Sequence, residues 1–458
     1  MAERLDRLLD QEPFGRALWG VVIADARGRL LYERNGDRLF VPASNTKLVV
    51  AAVASALLPR EYRWRTSVYA AGRVDSGVVR GDLVLYGRGD PTISDRYFQS
   101  SFTVFDELAD SLRARGIVRV AGDLVGDASY FDSVVVHPSW EVYDLNFEDA
   151  APVTALAFNE NVEGFGITPG SPGGPPAITI APDLGFLRLT NRARTVPMDS
   201  GRTLDFVRQP GTNDVWADGD VPVDARPWGE RFAVVDGPGY AATAFRRSLQ
   251  SRGITVSGRT RSLYDSTAYA AARRGEPLVE HLSPPLQEVL RTILEKSQNW
   301  HAEMLLKTLG RELRGQGSWP AGIEVERRFL IDSLRVDSTL FNLADGSGLS
   351  HHDLIAPRAL VALLAAMHRP ARAERVRAFL TALPVGGRTG TLRNRFRGSL
   401  EGRVHAKTGS IANVNSLTGY LDLAEEVWIF SIQLNNHAAR SREALERIDS
   451  IVSALLHR

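Results

Sequence analysis

The stretch "VPASNTKLVV" (41 to 50) places Ser44 and Lys47 three residues apart, directly ahead of an apolar run. On a helix, residues i and i+3 share a face, so the hydroxyl and the amine would stand side by side. A serine hydroxyl becomes a useful nucleophile when a neighbouring base takes its proton, and a lysine of lowered pKa can be that base. Alone, such a pattern is common, and Ser44 or Asn45 could equally cap a helix with Lys47 solvated in its first turn. Two further patterns shift the balance. Ser297-Gln298-Asn299 lies in a helical stretch, and Lys407-Thr408-Gly409 lies on a strand beside a hairpin. The charge of Lys407, with burial, would keep Lys47 neutral. Ser297 can relay a proton between the two lysines, and Asn299 offers an amide to orient a substrate or Lys47. Gly409 lets a strand approach a substrate without a side chain in the way. Backbone N–H groups of Ser44 and Ser410 would form an oxyanion hole. The hydroxyls of Thr408 and Ser410 suit a terminal carboxylate. Lys307-Thr308 is followed by Leu309 inside a helical run and is set aside.

These residues need elements to hold them. The apolar run Leu48 to Leu58 ends at Pro59 and is too short to span a bilayer, so it reads as a helix opened by Ser44-x-x-Lys47. "ALWGVVIADARGRLLYERN" reads as two strands joined at Asp25-Ala26-Arg27-Gly28. "GRVHAKTGS", "VNSLTGYLDL" and "EVWIFSIQLNN" read as three more, followed by an amphipathic helix capped at Ser441. "MAERLDRLLD" reads as another amphipathic helix, with Leu5, Leu8 and Leu9 on one face, and lacks the marks of a signal peptide. Strands from both termini point to one sheet, with the middle of the chain inserted into it. Residues near 67 to 280 are rich in Gly, Pro, Asp and short β-like runs, whereas 281 to 380 turn helical. Within the insertion, "SLRARGIVRVAG" and "SLQSRGITVSG" share a helix–Arg-Gly-Ile–strand pattern, a weak internal repeat.

Composition narrows the function classes. The chain has 458 residues, enough for two or three domains, with 44% hydrophobic and 24% charged residues, as in ordinary globular proteins. A net charge of +1 gives no case for nucleic acid or anionic membrane. The lack of any cysteine excludes disulfides, thiolate catalysis and zinc–cysteine sites. His351-His352-Asp353 reads as a polar turn, not a metal site, because adjacent histidines do not share a face. The arginines of "GGRTGTLRNRFRGSLEGR" read as a solvated loop, and "GRGDP" lacks the Gly-Lys-Ser/Thr of a phosphate loop. No metal and no cofactor is expected.

S-x-x-K, S-x-N and K-T-G, in that order, are the signature of the penicillin-interacting serine acyltransferases. More than half the chain separates Ser44 from Ser297, far more than a compact class A β-lactamase has. "GRGDPTIS" (87 to 94), "AAPVTALAFNEN" (150 to 161), "DGSGLS" (345 to 350) and "GTLRNRFRGS" (390 to 399) complete the match. From about residue 13 onward the chain resembles the low-molecular-mass class C penicillin-binding proteins, peptidase family S13. Two residues depart from it: Gln298 stands where Asn or Asp is more familiar, and Thr389 where the family often has Asp. The resemblance implies an α/β (α+β) transpeptidase-like domain built from both chain ends, 1–66 and 281–458. It also implies two nested β-rich insertions: 67–91, 150–165 and 236–280 in one, 92–149 and 166–235 in the other. The implied activity is D-alanyl-D-alanine carboxypeptidase, with endopeptidase action on cross-links, through an acyl-enzyme at Ser44. Rivals are a β-lactamase or esterase of the same superfamily and a weakly catalytic peptidoglycan-binding protein. The implied partners are peptidoglycan stem peptides and β-lactams, in a periplasmic or other extracytoplasmic place. The resemblance further implies that an acidic residue of the insertion meets the stem peptide's diaminopimelate amine. Asp144 is the candidate, with Glu148 and Asp149 as competitors.

Overall fold

Runs rich in Val, Ile and aromatic residues at both chain ends favour strands, and in the computed structural model they meet in one sheet. The structure describes residues 1–456, which divide into one unit of Met1–Tyr62 with the chain from Pro285 onward, and another of Arg63–Pro284.

In the first unit the strands are β1 (Leu18–Asp25), β2 (Leu30–Arg34), β3 (Val404–Ile411), β4 (Val414–Asp422) and β5 (Val427–Asn435), in the order β2-β1-β5-β4-β3. Every pair is antiparallel. Gly28, at φ +85°, turns the chain between β1 and β2, a backbone conformation that favours glycine. Helices α1 (Ala2–Asp10) and α7 (Ser441–Ala454) pack Leu5, Leu9, Ile448 and Ile451 into a core shared with Phe430 and Ile432 of β5. Ser441 does not cap α7: it is the helix's first residue, and its hydroxyl accepts from Asn415 at 3.2 Å. Helix α2 (Lys47–Leu57) is apolar on nearly all sides, the mark of a helix buried within a domain. Lys47 is its first residue and goes down with it, fully buried. Helices α3 (Leu286–Glu295), α4 (Asn299–Arg314), α5 (Trp319–Arg328) and α6 (Pro357–His368) belong to the same unit.

The second unit holds a five-stranded sheet in the order Thr260–Leu263, Leu124–Asp127, Asp82–Gly87, Arg65–Ala71, Val279–Leu282. The two Arg-Gly-Ile segments follow helices Thr103–Ala114 and Gly237–Ser251, and the strands after them, Arg119–Val120 and Thr255–Val256, pair in parallel. Leu124–Asp127, within the stretch 92–149, pairs with Asp82–Gly87 and Thr260–Leu263 and so lies in the larger sheet. Smaller sheets, Ala177–Ala181 with Val162–Thr168 and Trp228–Ala233, and Arg188–Asn191 with Asp214–Asp218 and Asp205–Arg208, enclose Phe165, Phe206 and Phe232. The "FNEN" turn places Asn159, Glu160 and Asn161 at φ +51°, +60° and +55°. It is held by Asn161 donating to the Pro152 carbonyl at 2.8 Å and by Arg96 donating to Glu160 at 2.7 Å. Among the described residues, no helix is long and apolar enough to cross a membrane.

Candidate active site

Ser44 lies on a 3-10 turn, Ala43–Thr46, that runs into α2, so it stands just ahead of the α-helix rather than inside it. Ala43 has φ +49°, a strained value for a residue with a Cβ, and such strain gathers at functional sites. The turn is fastened to the sheet. Asn45 donates to Thr418 at 2.9 Å, and Ser416 donates to the Pro42 carbonyl at 2.7 Å. Strand β3 passes so close that a Cβ on Gly409 would lie 2.7 Å from the Pro42 oxygen and 3.1 Å from the Ser44 nitrogen. The glycine is therefore needed for the approach, and it brings Thr408 and Ser410 alongside Ser44.

Lys47 Nζ donates to three oxygens: Asn299 Oδ1 at 2.6 Å, the Ser347 carbonyl at 2.7 Å and Ser44 Oγ at 2.8 Å. The geometry limits what a neutral amine can do there. Asn299 Oδ1 and the Ser347 carbonyl can only accept, so they occupy the two N–H groups that a neutral lysine keeps. Its lone pair is then left for the Ser44 hydroxyl, which becomes the donor. Lys407, fully buried on β3, donates to Ser297 Oγ and to the Thr408 carbonyl, both at 2.8 Å. Burial, and then the charge of Lys47, push the Lys407 amine well below the usual lysine range. Ser297 sits between α3 and α4 at φ +62°, and Asn299 is the first residue of α4. The structure thus gathers Ser44, Lys47, Ser297, Asn299 and Lys407, with Thr408, Gly409 and Ser410 beside them on β3. Thr408 donates to Thr391 at 2.9 Å, and Ser410, exposed, accepts from Asn415 at 2.8 Å. This arrangement can deprotonate a serine, stabilise an oxyanion and carry a proton between two lysines.

Reasoning from residue types missed the support behind Lys47. The Ser347 carbonyl belongs to "DGSGLS", quoted above only as a matching pattern. Asp345 accepts from the N–H groups of Gly348 at 2.7 Å and Ser350 at 2.8 Å. Glu303 of α4 accepts from Ser347 N–H at 2.7 Å, Gly346 N–H at 3.0 Å and Trp319 Nε1 at 2.8 Å. Asp353, counted above as part of a polar turn, accepts from Ala344 N–H at 2.8 Å. An acidic residue in a Gly/Ser-rich turn was the available signal. Thr389, the other departure, accepts from Val385 N–H at 3.0 Å, so the hydroxyl holds its loop. Arg395 is not a solvated loop cation: its guanidinium grips Asp449 at 2.5 Å.

Behind Glu303 lies Glu326, wholly buried, with neither carboxyl oxygen hydrogen-bonded. Burial first, then Glu303 and Asp345, raise its pKa well above the carboxylate range, and burial and Asp345 push Glu303 up to about 7. A raised folded-state pKa gives stability that is present in full below the unfolded value and is lost as pH rises through the folded one. Removing the proton site should therefore flatten the curve. From about pH 4.5 upward, wild type should lose stability relative to Glu326→Gln by roughly 1.4 kcal/mol per pH unit over which Glu326 keeps its proton. Denaturant melts at several pH values check this, and parallel curves would contradict it.

Asp144 lies in the second unit, half-buried, on the one-turn 3-10 helix Asp144–Asn146. Its competitor Glu148 is engaged by Arg231 at 3.1 Å and Arg96 at 3.8 Å, while Asp149 is exposed.

Sheet, helices and the serine–lysine contacts define a serine hydrolase of the penicillin-binding class. Comparison with known proteins takes this further: residues 1–455 match the model of the D-Ala-D-Ala carboxypeptidase 3 (S13) family, and the chain belongs to that family. It is, by that membership, a serine-type D-Ala-D-Ala carboxypeptidase. A D-alanyl-D-alanine carboxypeptidase of Actinomadura sp. (strain R39) is 34% identical over 97% of this chain and 83% of its own. D-alanyl-D-alanine carboxypeptidase DacB of Haemophilus influenzae is 25% identical over 90% of this chain and 83% of its own. The crystal structure of penicillin binding protein 4 from Haemophilus influenzae superposes with a TM-score of 0.87 at 24% identity, covering 99% of both chains, and so shares the fold.

Proposed function

We propose that this protein removes the terminal D-alanine of peptidoglycan stem peptides through an acyl-enzyme at Ser44, and cleaves D-alanyl cross-links at the same site. The observation that carries the reading is the contact set of Lys47, whose two acceptor-only partners reserve its lone pair for Ser44. Neutral Lys47 takes the Ser44 proton as Oγ attacks the penultimate D-alanine carbonyl. The N–H groups of Ser44 and Ser410 hold the oxyanion. Ser297, bridged to Lys407, passes a proton to the departing amine, and D-alanine leaves. Water, deprotonated along the same path, then hydrolyses the ester and restores Ser44. Asn299 orients Lys47 and the substrate, and the hydroxyls of Thr408 and Ser410 receive the terminal carboxylate. β-Lactams present a strained amide in the place of the scissile one and acylate Ser44. The site of action is extracytoplasmic, where stem peptides are found. The second unit is read as two nested modules, with Leu124–Asp127 assigned to the larger.

Release of free D-alanine from a synthetic stem pentapeptide, lost in Ser44→Ala, tests the reading; a wild-type protein that releases none would overturn it. Asp144 is proposed as the carboxylate that meets the diaminopimelate amine. Asp144→Asn should lower kcat/KM on peptides with a free side-chain amine by about tenfold for each 1.4 kcal/mol lost. Penicillin acylation and cleavage of the amine-acetylated peptide should barely change. Equal losses on all three would assign Asp144 to the fold.

A further inference from the structure

The second unit contains a charge that its own structure does not answer. Arg208 ends the strand Asp205–Arg208 and is 92% buried, with a relative exposure of 8%. Its Nη2 donates to the Ala233 carbonyl, its guanidinium carbon lies 4.8 Å from the centre of the Phe232 ring, and its Nε has no hydrogen-bond partner. These contacts are uncharged. Among the described residues no carboxylate forms an ion pair with it, and burial alone pulls the guanidinium down to about 10. Buried charges in proteins are as a rule paired, because an isolated one in a low-dielectric setting is strongly disfavoured.

Arg208 lines a cavity of about 440 Å³, within the size range of small-molecule sites. The remaining wall is mainly apolar, formed by Val135, Val142, Leu145, Pro152, Val207 and Val235. Two of these, Val142 and Val207, stand exposed at 69% and 49%. Asp236 also borders the cavity, but its carboxylate is taken up at the start of the helix Gly237–Ser251, accepting from Gly239 N–H at 3.2 Å and from Ser262. The charged group available to a guest is thus a cation, with the Asn146 amide a further polar side chain on a mainly greasy wall. Tyr143 and Leu145, which flank Asp144, line the same cavity, so a guest would also pack against the turn that carries Asp144.

We propose that this cavity is a binding site for a small amphipathic carboxylate, its anionic head against Arg208 and its apolar body against the valines. The guest would supply the missing counter-charge and cover the exposed valine surface together. A charge-assisted contact to a guanidinium is directional and favours a planar carboxylate.

Titration calorimetry with octanoate, octan-1-ol and octylamine on the full chain tests this. Octanoate should bind one to one, at least tenfold more tightly than octanol, and octylamine should not bind. In Arg208→Met the preference for octanoate over octanol should vanish. Because an unpaired buried charge is removed, that variant should melt at or above the wild-type temperature when no ligand is present. Val142→Asp, at an exposed wall position, provides a second variant. It should abolish octanoate binding by repulsion and leave melting unchanged. Equal affinity for octanoate and octanol, unchanged octanoate binding in either variant, or no octanoate binding at millimolar concentration would overturn the proposal.

Discussion

Lys47→Arg should slow acylation of Ser44 by about a hundred- to ten-thousandfold, the range that a positioned general base supplies. Arginine keeps the positive charge but does not release a proton at any accessible pH, so it separates charge from basicity. Its planar fork also cannot satisfy Asn299 Oδ1 and the Ser347 carbonyl while presenting a lone pair. The pH profile provides the mechanistic readout. In the wild type, acylation should rise with pH as a proton leaves the Lys47–Lys407 pair, and the limb belongs to the pair rather than to either amine. Burial and Lys47 already depress Lys407, so the limb should lie well below the pH at which an ordinary lysine titrates. Stopped-flow acylation with a chromogenic β-lactam from pH 5 to 10 measures both rate and limb. A Lys47→Arg protein that acylates at near wild-type rate would place the base elsewhere.

Gly348→Ala should reduce acylation by roughly a hundredfold or more, the loss that a misplacement of about 1 Å can cause. Gly348 has φ +78°, and an added Cβ would stand 1.9 Å from the Ala43 carbonyl oxygen and 2.8 Å from Thr46 Oγ1. The first of these is backbone, which a side-chain rotation cannot clear. Either the turn bearing Ser44 or the loop bearing the Ser347 carbonyl must move, and Lys47 contacts both. Circular dichroism and melting distinguish a displaced site from an unfolded chain. A folded Gly348→Ala enzyme with unchanged acylation would show that the loop does not position Lys47.

The contrast between these residues shows what sequence reasoning reaches. Ser44, Lys47, Ser297, Asn299 and Lys407 were readable because their types and order state a chemistry, and their strands and helices follow from hydrophobic period and turn residues. Gly348 acts through its backbone, and the carboxylates of Asp345 and Glu303 act on backbone N–H groups, which every residue has, so beyond an acidic residue in a Gly/Ser-rich turn little in the sequence announced them. The same limit applies to the insertion. Composition marked it as β-rich, but which strands pair depends on registers fixed by contacts distant in sequence, as in the pairing of Leu124–Asp127 with Asp82–Gly87. Arg395 looked like one of several loop arginines until Asp449, 54 positions away, came beside it. Arg208 belongs to no motif in the sequence. Only burial in three dimensions sets it apart.

The central claim is covalent chemistry at Ser44, and intact-mass analysis after treatment with saturating benzylpenicillin tests it most directly. Acid-quenched wild-type protein should gain the mass of one penicilloyl group, and peptide mapping should place it on the fragment containing Ser44. Ser44→Ala, with an unchanged melting temperature, should gain nothing. An unmodified wild-type mass, or an adduct mapped to any other residue, would contradict the account.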